Sequence, residues 1–318
     1  MSMVLSMSGA SLVARAARGF SASSRAADIP EKSFYIGGNT DLRNGSMEWK
    51  LFIPSHYDGS TPCPLVVMLH GCGQTADDFA VGTKMNWLGD EANCFVLYPN
   101  QASFAHMMGC WTWYSPTHQK RDSGEPELIV TTIRQIQEQY TIDPKRIYVA
   151  GMSSGGATAL TMGIVYPEIF AAVCVHSGLA YRSASTLYQA FDTMQAGHNG
   201  YKLSPDLLAR LPPLILFHGS EDQIVNVKNS QAIVRQFTHN RDLKSEETTE
   251  RPPTGYPWTR TVWRNEAGHV VLENWLVEGM GHAWSQGDPS GSYTDQRGPN
   301  ASVEMLRFFF EHPKENSE

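Results

Sequence analysis

Six short apolar runs constrain this chain more than any other feature: Pro64–His70, Cys94–Tyr98, Arg146–Ala150, Phe170–Val175, Leu214–Phe217 and Val270–Val277. Each is rich in branched or aromatic residues and carries no polar alternation, the pattern of a strand buried on both faces. A further run, Met47–Ile53, alternates and ends at Pro54. Helix-length segments lie between them: Leu128–Tyr140, with Ile129, Ile133 and Ile136 on one face, then Gly156–Val165, Asn226–Thr238 and Ser302–Phe310. Strands alternating with helices predict an α/β fold, a mostly parallel sheet with helices on both faces. Two stretches break the alternation. Residues 181–212 are polar and helix-compatible, and 239–260 are charged, Pro-rich and read as irregular. Both are expected as excursions over the edge of the sheet, where specificity is often built.

At 318 residues the chain is long enough to bury a sizeable core. Residues 1–30 stand apart. They hold no acidic residue before Asp28, have arginines at 15, 18 and 25, and are dominated by Ser and Ala, so they read as a disordered or targeting leader. Residues 31–318 are then a single domain. The formal net charge of −7, with no basic run, argues against a nucleic-acid partner. No apolar stretch is long enough to predict a membrane span. The five cysteines, Cys63, Cys72, Cys94, Cys110 and Cys174, form no CxxC pair, and their plain reading is small buried hydrophobes.

Gly151-Met152-Ser153-Ser154-Gly155 joins an apolar run to a helix-length segment. It matches G-x-S-x-G, in which small residues allow a tight strand-to-helix turn that lifts the serine above the sheet. The alternative is a simple glycine-rich turn. A serine nucleophile needs a base and a carboxylate, which on such sheets follow in the order acid, then histidine, after later strands. His218-Gly-Ser-Glu221-Asp222 follows one run, and Gly279-Met-Gly-His282 follows the last. Asp222, directly before Gln223-Ile224-Val225, is the candidate acid, with Glu221 as competitor. His282 is the candidate base. His70 and His218 each precede a glycine and read as turn-shaping side chains. The glycine-rich loop Leu69-His-Gly-Cys72-Gly makes the backbone amides of Cys72 and Ser154 candidates for an oxyanion hole.

Leu69-His-Gly-Cys72, Leu97-Tyr-Pro99 with Gln101, Cys110-Trp-Thr-Trp-Tyr114, Arg121 with Gly124-Glu-Pro126, Ile142-Asp-Pro144, Gly151–Gly156 and Gly279–Trp284 together resemble the polyhydroxybutyrate depolymerase type of esterase, which includes feruloyl and acetylxylan esterases. The resemblance runs from about Phe34 to the end. It implies an α/β-hydrolase fold and cleavage of carboxylic esters by Ser153, Asp222 and His282 through an acyl-enzyme, with no cofactor and no metal. The family pattern places Asp222 ahead of Glu221. It also implies a disulfide between Cys72 and Cys110, which would be thiols in a reducing compartment. Trp111 and Trp284, by their place in the motifs, are expected to line the substrate pocket. Thr112 stands where the family more often has Asn, and Asn100 where Glu is common. Little chain follows the last helix, so the expected substrate is a soluble ester or hydroxyalkanoate oligomer, with plant polysaccharide esters as the alternative. A serine peptidase of the prolyl-oligopeptidase type and a non-catalytic polymer-binding relative are the rival readings. The family suggests export, the leader a mitochondrial matrix.

Overall fold

The computed structural model describes residues 32–43, 45–101 and 108–315. The leader proposed for residues 1–30 lies outside them. The chain runs β1 (Phe34–Leu42), β2 (Gly45–Ile53), β3 (Cys63–Leu69), α1 (Ala76–Thr83), α2 (Met85–Glu91), β4 (Phe95–Asn100), α3 (Gly124–Gln139), β5 (Ile142–Met152), α4 (Ser154–Val165) and β6 (Ala172–His176). It continues through α5 (Leu187–Ala196), α6 (Pro205–Leu208), β7 (Leu214–Gly219), α7 (Lys228–Thr238), β8 (Lys244–Glu250), β9 (Trp258–Arg264), β10 (Val270–Val277) and α8 (Ala301–Glu311).

Among the described residues ten strands form one sheet in the order β1-β2-β4-β3-β5-β6-β7-β10-β9-β8. The six central strands, β4-β3-β5-β6-β7-β10, pair in parallel, and the outer pairs are antiparallel. The central strands are the six apolar runs. Along β3 the side chains alternate between two cores: Leu65, Val67 and Leu69 pack with Ile129 and Ile133 of α3 and Leu160 of α4, whereas Val66 and Met68 pack with Phe79 of α1 and Phe308 and Phe309 of α8. Successive side chains of a strand leave on opposite faces, so a strand with no polar face requires helices on both sides.

The stretch 239–260 is irregular only in part. It contains β8 and the start of β9, paired antiparallel from Lys244↔Arg264 to Glu250↔Trp258. All seven residues of β8 are exposed. A polar, charged edge strand resists pairing with another chain and leaves no apolar signature to read. Residues 181–212 hold α5 and α6, between β6 and β7. The Gln236 side chain of α7 ties this stretch down, accepting from Tyr181 N (2.9 Å) and donating to Tyr181 O (3.0 Å) and Tyr201 O (2.8 Å).

Candidate active site

Ser153 occupies the junction of β5 and α4 with φ 56° and ψ −120°. A non-glycine residue rarely adopts such a backbone, and it persists only where its surroundings impose it. They do here. A Cβ on Gly151 would stand 2.3 Å from Gly155 O, and one on Gly155 would stand 2.1 Å from Leu69 O, so neither position admits a side chain. The Ser153 amide donates to His176 O (2.9 Å), and its carbonyl accepts from Ala157 N (3.0 Å) to begin the helix. Ser154, the first residue of α4, has one of the amides that a helix leaves without an internal acceptor, at the positive end of its dipole.

Because β3, β5, β6, β7 and β10 run parallel, their carboxyl ends share one edge of the sheet, and the loops that follow them converge there. The loop after β3 brings Gly71 against the serine: a Cβ on Gly71 would lie 3.5 Å from Ser153 Cβ. Its Gly73 and Gln74 amides donate to Met108 O (2.8 Å) and Gly71 O (3.2 Å), while the Cys72 amide has no protein acceptor among the described residues. Cys72 is disulfide-bonded to Cys110. Its Sγ lies 3.4 Å from Ser154 Oγ, which places the bridge beside the start of α4.

The loops after β7 and β10 are laced together. Ser220 N donates to Val277 O (2.9 Å), Glu221 N to Met280 O (3.0 Å) and Gly279 N to Ser220 Oγ (2.9 Å). This brings Asp222 Oδ2 to 2.7 Å from His282 Nδ1. The other oxygen, Oδ1, accepts from Ile224 N (3.0 Å) and Val225 N (2.8 Å). Asp222 is buried and Glu221 exposed. Burial pushes the Asp222 carboxyl up, but hydrogen bonds from His218 and His282 outweigh it and hold the group well below the usual carboxylate range. An ionised carboxylate on Nδ1 fixes the His282 tautomer and leaves Nε2 as its basic nitrogen.

Against this geometry the comparisons are specific. Residues 48–251 match the family described as esterase PHB depolymerase. The chain belongs to that family. The matched stretch holds Ser153 and Asp222 and ends before His282. Poly(3-hydroxyalkanoate) depolymerase C of Paucimonas lemoignei is 29% identical over 255 residues, which is 77% of this chain and 60% of that protein. Feruloyl esterase B of Thermothelomyces thermophilus is 25% identical over 253 residues, 74% of this chain and 84% of that protein. The acetyl xylan esterase from Aspergillus awamori superposes with a TM-score of 0.61 at 20% identity, covering 74% of this chain and 89% of that one. The fold is that of the α/β-hydrolases.

Two of the residues expected in a substrate pocket belong to the core. Trp111 is fully buried, donates Nε1–H to His70 O (3.0 Å) and packs among the aliphatic residues on the α3 face of the sheet. Trp284 is 1% exposed, donates to Ser302 Oγ (3.0 Å) and stacks on His176 at 4.9 Å. Each indole is enclosed by elements distant in sequence and offers no face to a ligand. Trp113 instead packs in a small apolar cluster with Ala157 of α4, Leu179 and Val225, next to the strained serine and the acid loop.

Several residues of the motifs that carry the family resemblance, Gln101, Thr112, Glu125 and His70, form a supporting framework. The buried Glu125 carboxylate of α3 accepts from Gln101 Nε2 (2.5 Å), Thr112 N (3.0 and 3.1 Å) and Thr112 Oγ1 (2.8 Å), anchoring the chain that follows Cys110. Thr112 therefore serves the framework of this loop. His70 accepts from Gln101 N at Nε2 (3.0 Å) and donates from Nδ1 to Gly71 O (2.8 Å). Burial lowers its pKa to about 4 and that of His176 to about 3, so both are neutral struts at pH 7. His176 Nε2 accepts from Ser285 N (3.1 Å), tying the end of β6 to the loop that carries His282. Sequence reasoning missed His218, whose Nε2 donates to Val225 O (2.7 Å) and lies 3.4 Å from Asp222 Oδ2. Its spacing of four from Asp222 is the signal that was available.

Proposed function

We propose that this chain is a serine esterase that cleaves soluble carboxylic esters or hydroxyalkanoate oligomers through an acyl-enzyme. The observation that carries the reading is the 2.7 Å hydrogen bond between His282 and the buried Asp222, at the sheet edge where Ser153 occupies its strained turn. His282 Nε2 takes the Ser153 hydroxyl proton as the oxygen attacks the ester carbonyl, and Asp222 stabilises the imidazolium. The amides of Cys72 and Ser154 receive the oxyanion. His282 then protonates the departing alkoxide, and water repeats the sequence on the acyl-enzyme. No step calls for a metal or organic cofactor. Trp113, which packs on Ala157 of α4 a turn from Ser153, is the side chain that we assign to the acyl group. The relatives' names favour hydroxyalkanoate or feruloyl esters over peptides, and the chain spans 60% of the length of the depolymerase it matches.

Hydrolysis of p-nitrophenyl acetate to octanoate, methyl ferulate and a hydroxybutyrate trimer, each beside Ser153→Ala, tests the reading. Loss of one triad member costs several orders of magnitude in turnover. A Ser153→Ala protein that kept the wild-type rate would sink the assignment. Methyl ferulate turned over faster than the trimer would move it to the feruloyl esterases, and peptide cleavage to the peptidases. The disulfide beside Ser154 supports an exported enzyme, since such bonds persist in oxidising compartments. Among the described residues no helix is long and apolar enough to cross a membrane. Recovery of the protein from the mitochondrial matrix with both cysteines free would reverse that location.

A further inference from the structure

A second concave site lies between the stretch that holds α5 and α6 and the carboxyl-terminal half of α7. It is a cleft of about 340 Å³, near the lower end of the ~300–1,000 Å³ typical of small-molecule sites. Its apolar floor is Leu203, Leu208 and Ala232, all buried, and its rim carries Lys202, Arg235 and His239. No carboxylate is among the lining residues.

The cleft is preformed. The three Gln236 hydrogen bonds hold its walls at Tyr181 and Tyr201, Arg182 braces the Tyr201 ring at 5.3 Å, and Asn199 Oδ1 accepts from Arg235 Nε (2.8 Å). With Nε engaged, the terminal nitrogens of Arg235 keep donors for an incoming anion. We propose that this cleft binds a small amphipathic carboxylate, its apolar body on Leu203, Leu208 and Ala232 and its carboxylate between Arg235 and Lys202. The site is separate from Ser153. It lies at the far end of the helix that begins six residues after Asp222, roughly 10–15 Å along the axis. A carboxylate is also what ester hydrolysis releases, and only this link to product rests on the esterase reading.

The test is calorimetric titration of 3-phenylpropionate, with 3-phenylpropionamide as the neutral comparison, into protein whose Ser153 has first been capped by a fluorophosphonate. The expected result is one carboxylate bound per chain after capping, at least tenfold tighter than the amide. Arg235→Gln and Lys202→Gln should each weaken it at least fivefold while p-nitrophenyl butyrate turnover stays within twofold. Loss of binding on capping, or undiminished binding by both variants, would overturn the proposal, because the ligand would then belong to the active site or to neither cation. Failure of the fluorophosphonate to label Ser153 would count against the esterase alone, and the same two variants in unlabelled protein would still decide the cleft.

Discussion

Gly219 lies so close under Met280 that a Cβ on it would stand 2.1 Å from the Met280 carbonyl oxygen. That contact couples the loop bearing Asp222 to the loop bearing His282, since Glu221 N donates to the same carbonyl. Gly219→Ala must push the two loops apart. The expected outcome is a loss of about 1–3 kcal/mol of stability and a fall in ester turnover larger than the fall in stability explains. Urea unfolding read beside kcat at 25 °C checks it, and an alanine variant with wild-type kcat would show that the loops move without consequence.

Asp222 and Glu221 should part sharply under neutralisation. Asp222→Asn removes the carboxylate on His282 Nδ1, for an expected loss of about 10⁴ in kcat. Glu221→Gln, exposed beside it, should stay within about twofold on the scale of surface substitutions. Equal losses in the two variants would withdraw Asp222 as the acid.

Acid should destabilise the fold in two stages. His70 and His176 are held neutral by burial, with pKa values of about 4 and about 3, whereas an unfolded histidine titrates near 6.5. Below pH ~6.5 the unfolded chain therefore binds protons that the folded one refuses. Stability is full above that pH and falls as pH drops toward the folded values, by up to about 1.4 kcal/mol per pH unit for each histidine. The depressed Asp222 carboxyl adds to the loss below the usual aspartate range, where the unfolded chain takes up a proton first. Urea midpoints at pH 7, 6 and 5 measure the first stage. A midpoint flat from pH 7 to 5 would mean that His70 and His176 are protonated in the native protein.

The bridge between Cys72 and Cys110 closes a loop of 38 residues in sequence separation. A loop of that size contributes about 2–4 kcal/mol. Reduction should lower the thermal midpoint, and a mass shift after alkylation should appear only in reduced protein. Because Cys72 Sγ rests against Ser154, the Cys72→Ser/Cys110→Ser variant is expected to lose kcat with little change in KM. Unaltered kinetics would detach the disulfide from the candidate oxyanion hole.

Trp111→Phe tests the reassignment of that residue to the core. It deletes the hydrogen bond to His70 O and part of a fully buried ring, so stability should drop by about 2–4 kcal/mol. KM for short-chain esters should not move. A selective rise in KM with unchanged stability would return Trp111 to the pocket.

The sheet and the serine turn were legible in the amino-acid sequence because both are encoded at short range. An unbroken apolar run such as Leu65–Leu69 requires cover on both faces, and glycines at 151 and 155 are needed by a turn whose backbone atoms nearly touch. What packing decides from a distance was not legible. Asp222 was preferred to its neighbour Glu221 on position and family pattern, but its burial against a histidine 60 residues away comes only with the fold. Trp111 and Trp284 sit in motif positions beside the site, yet their rings turn into the core, where His70 and Ser302 accept their N–H groups. Strand β8, all polar and exposed, exists because β9 supplies its hydrogen-bond partners. The places of the central strands along the chain and the shape of the turn were thus determined by local sterics and periodicity, while burial, the order in which strands pair and the environment of each functional group were decided by residues that only the tertiary structure brings together.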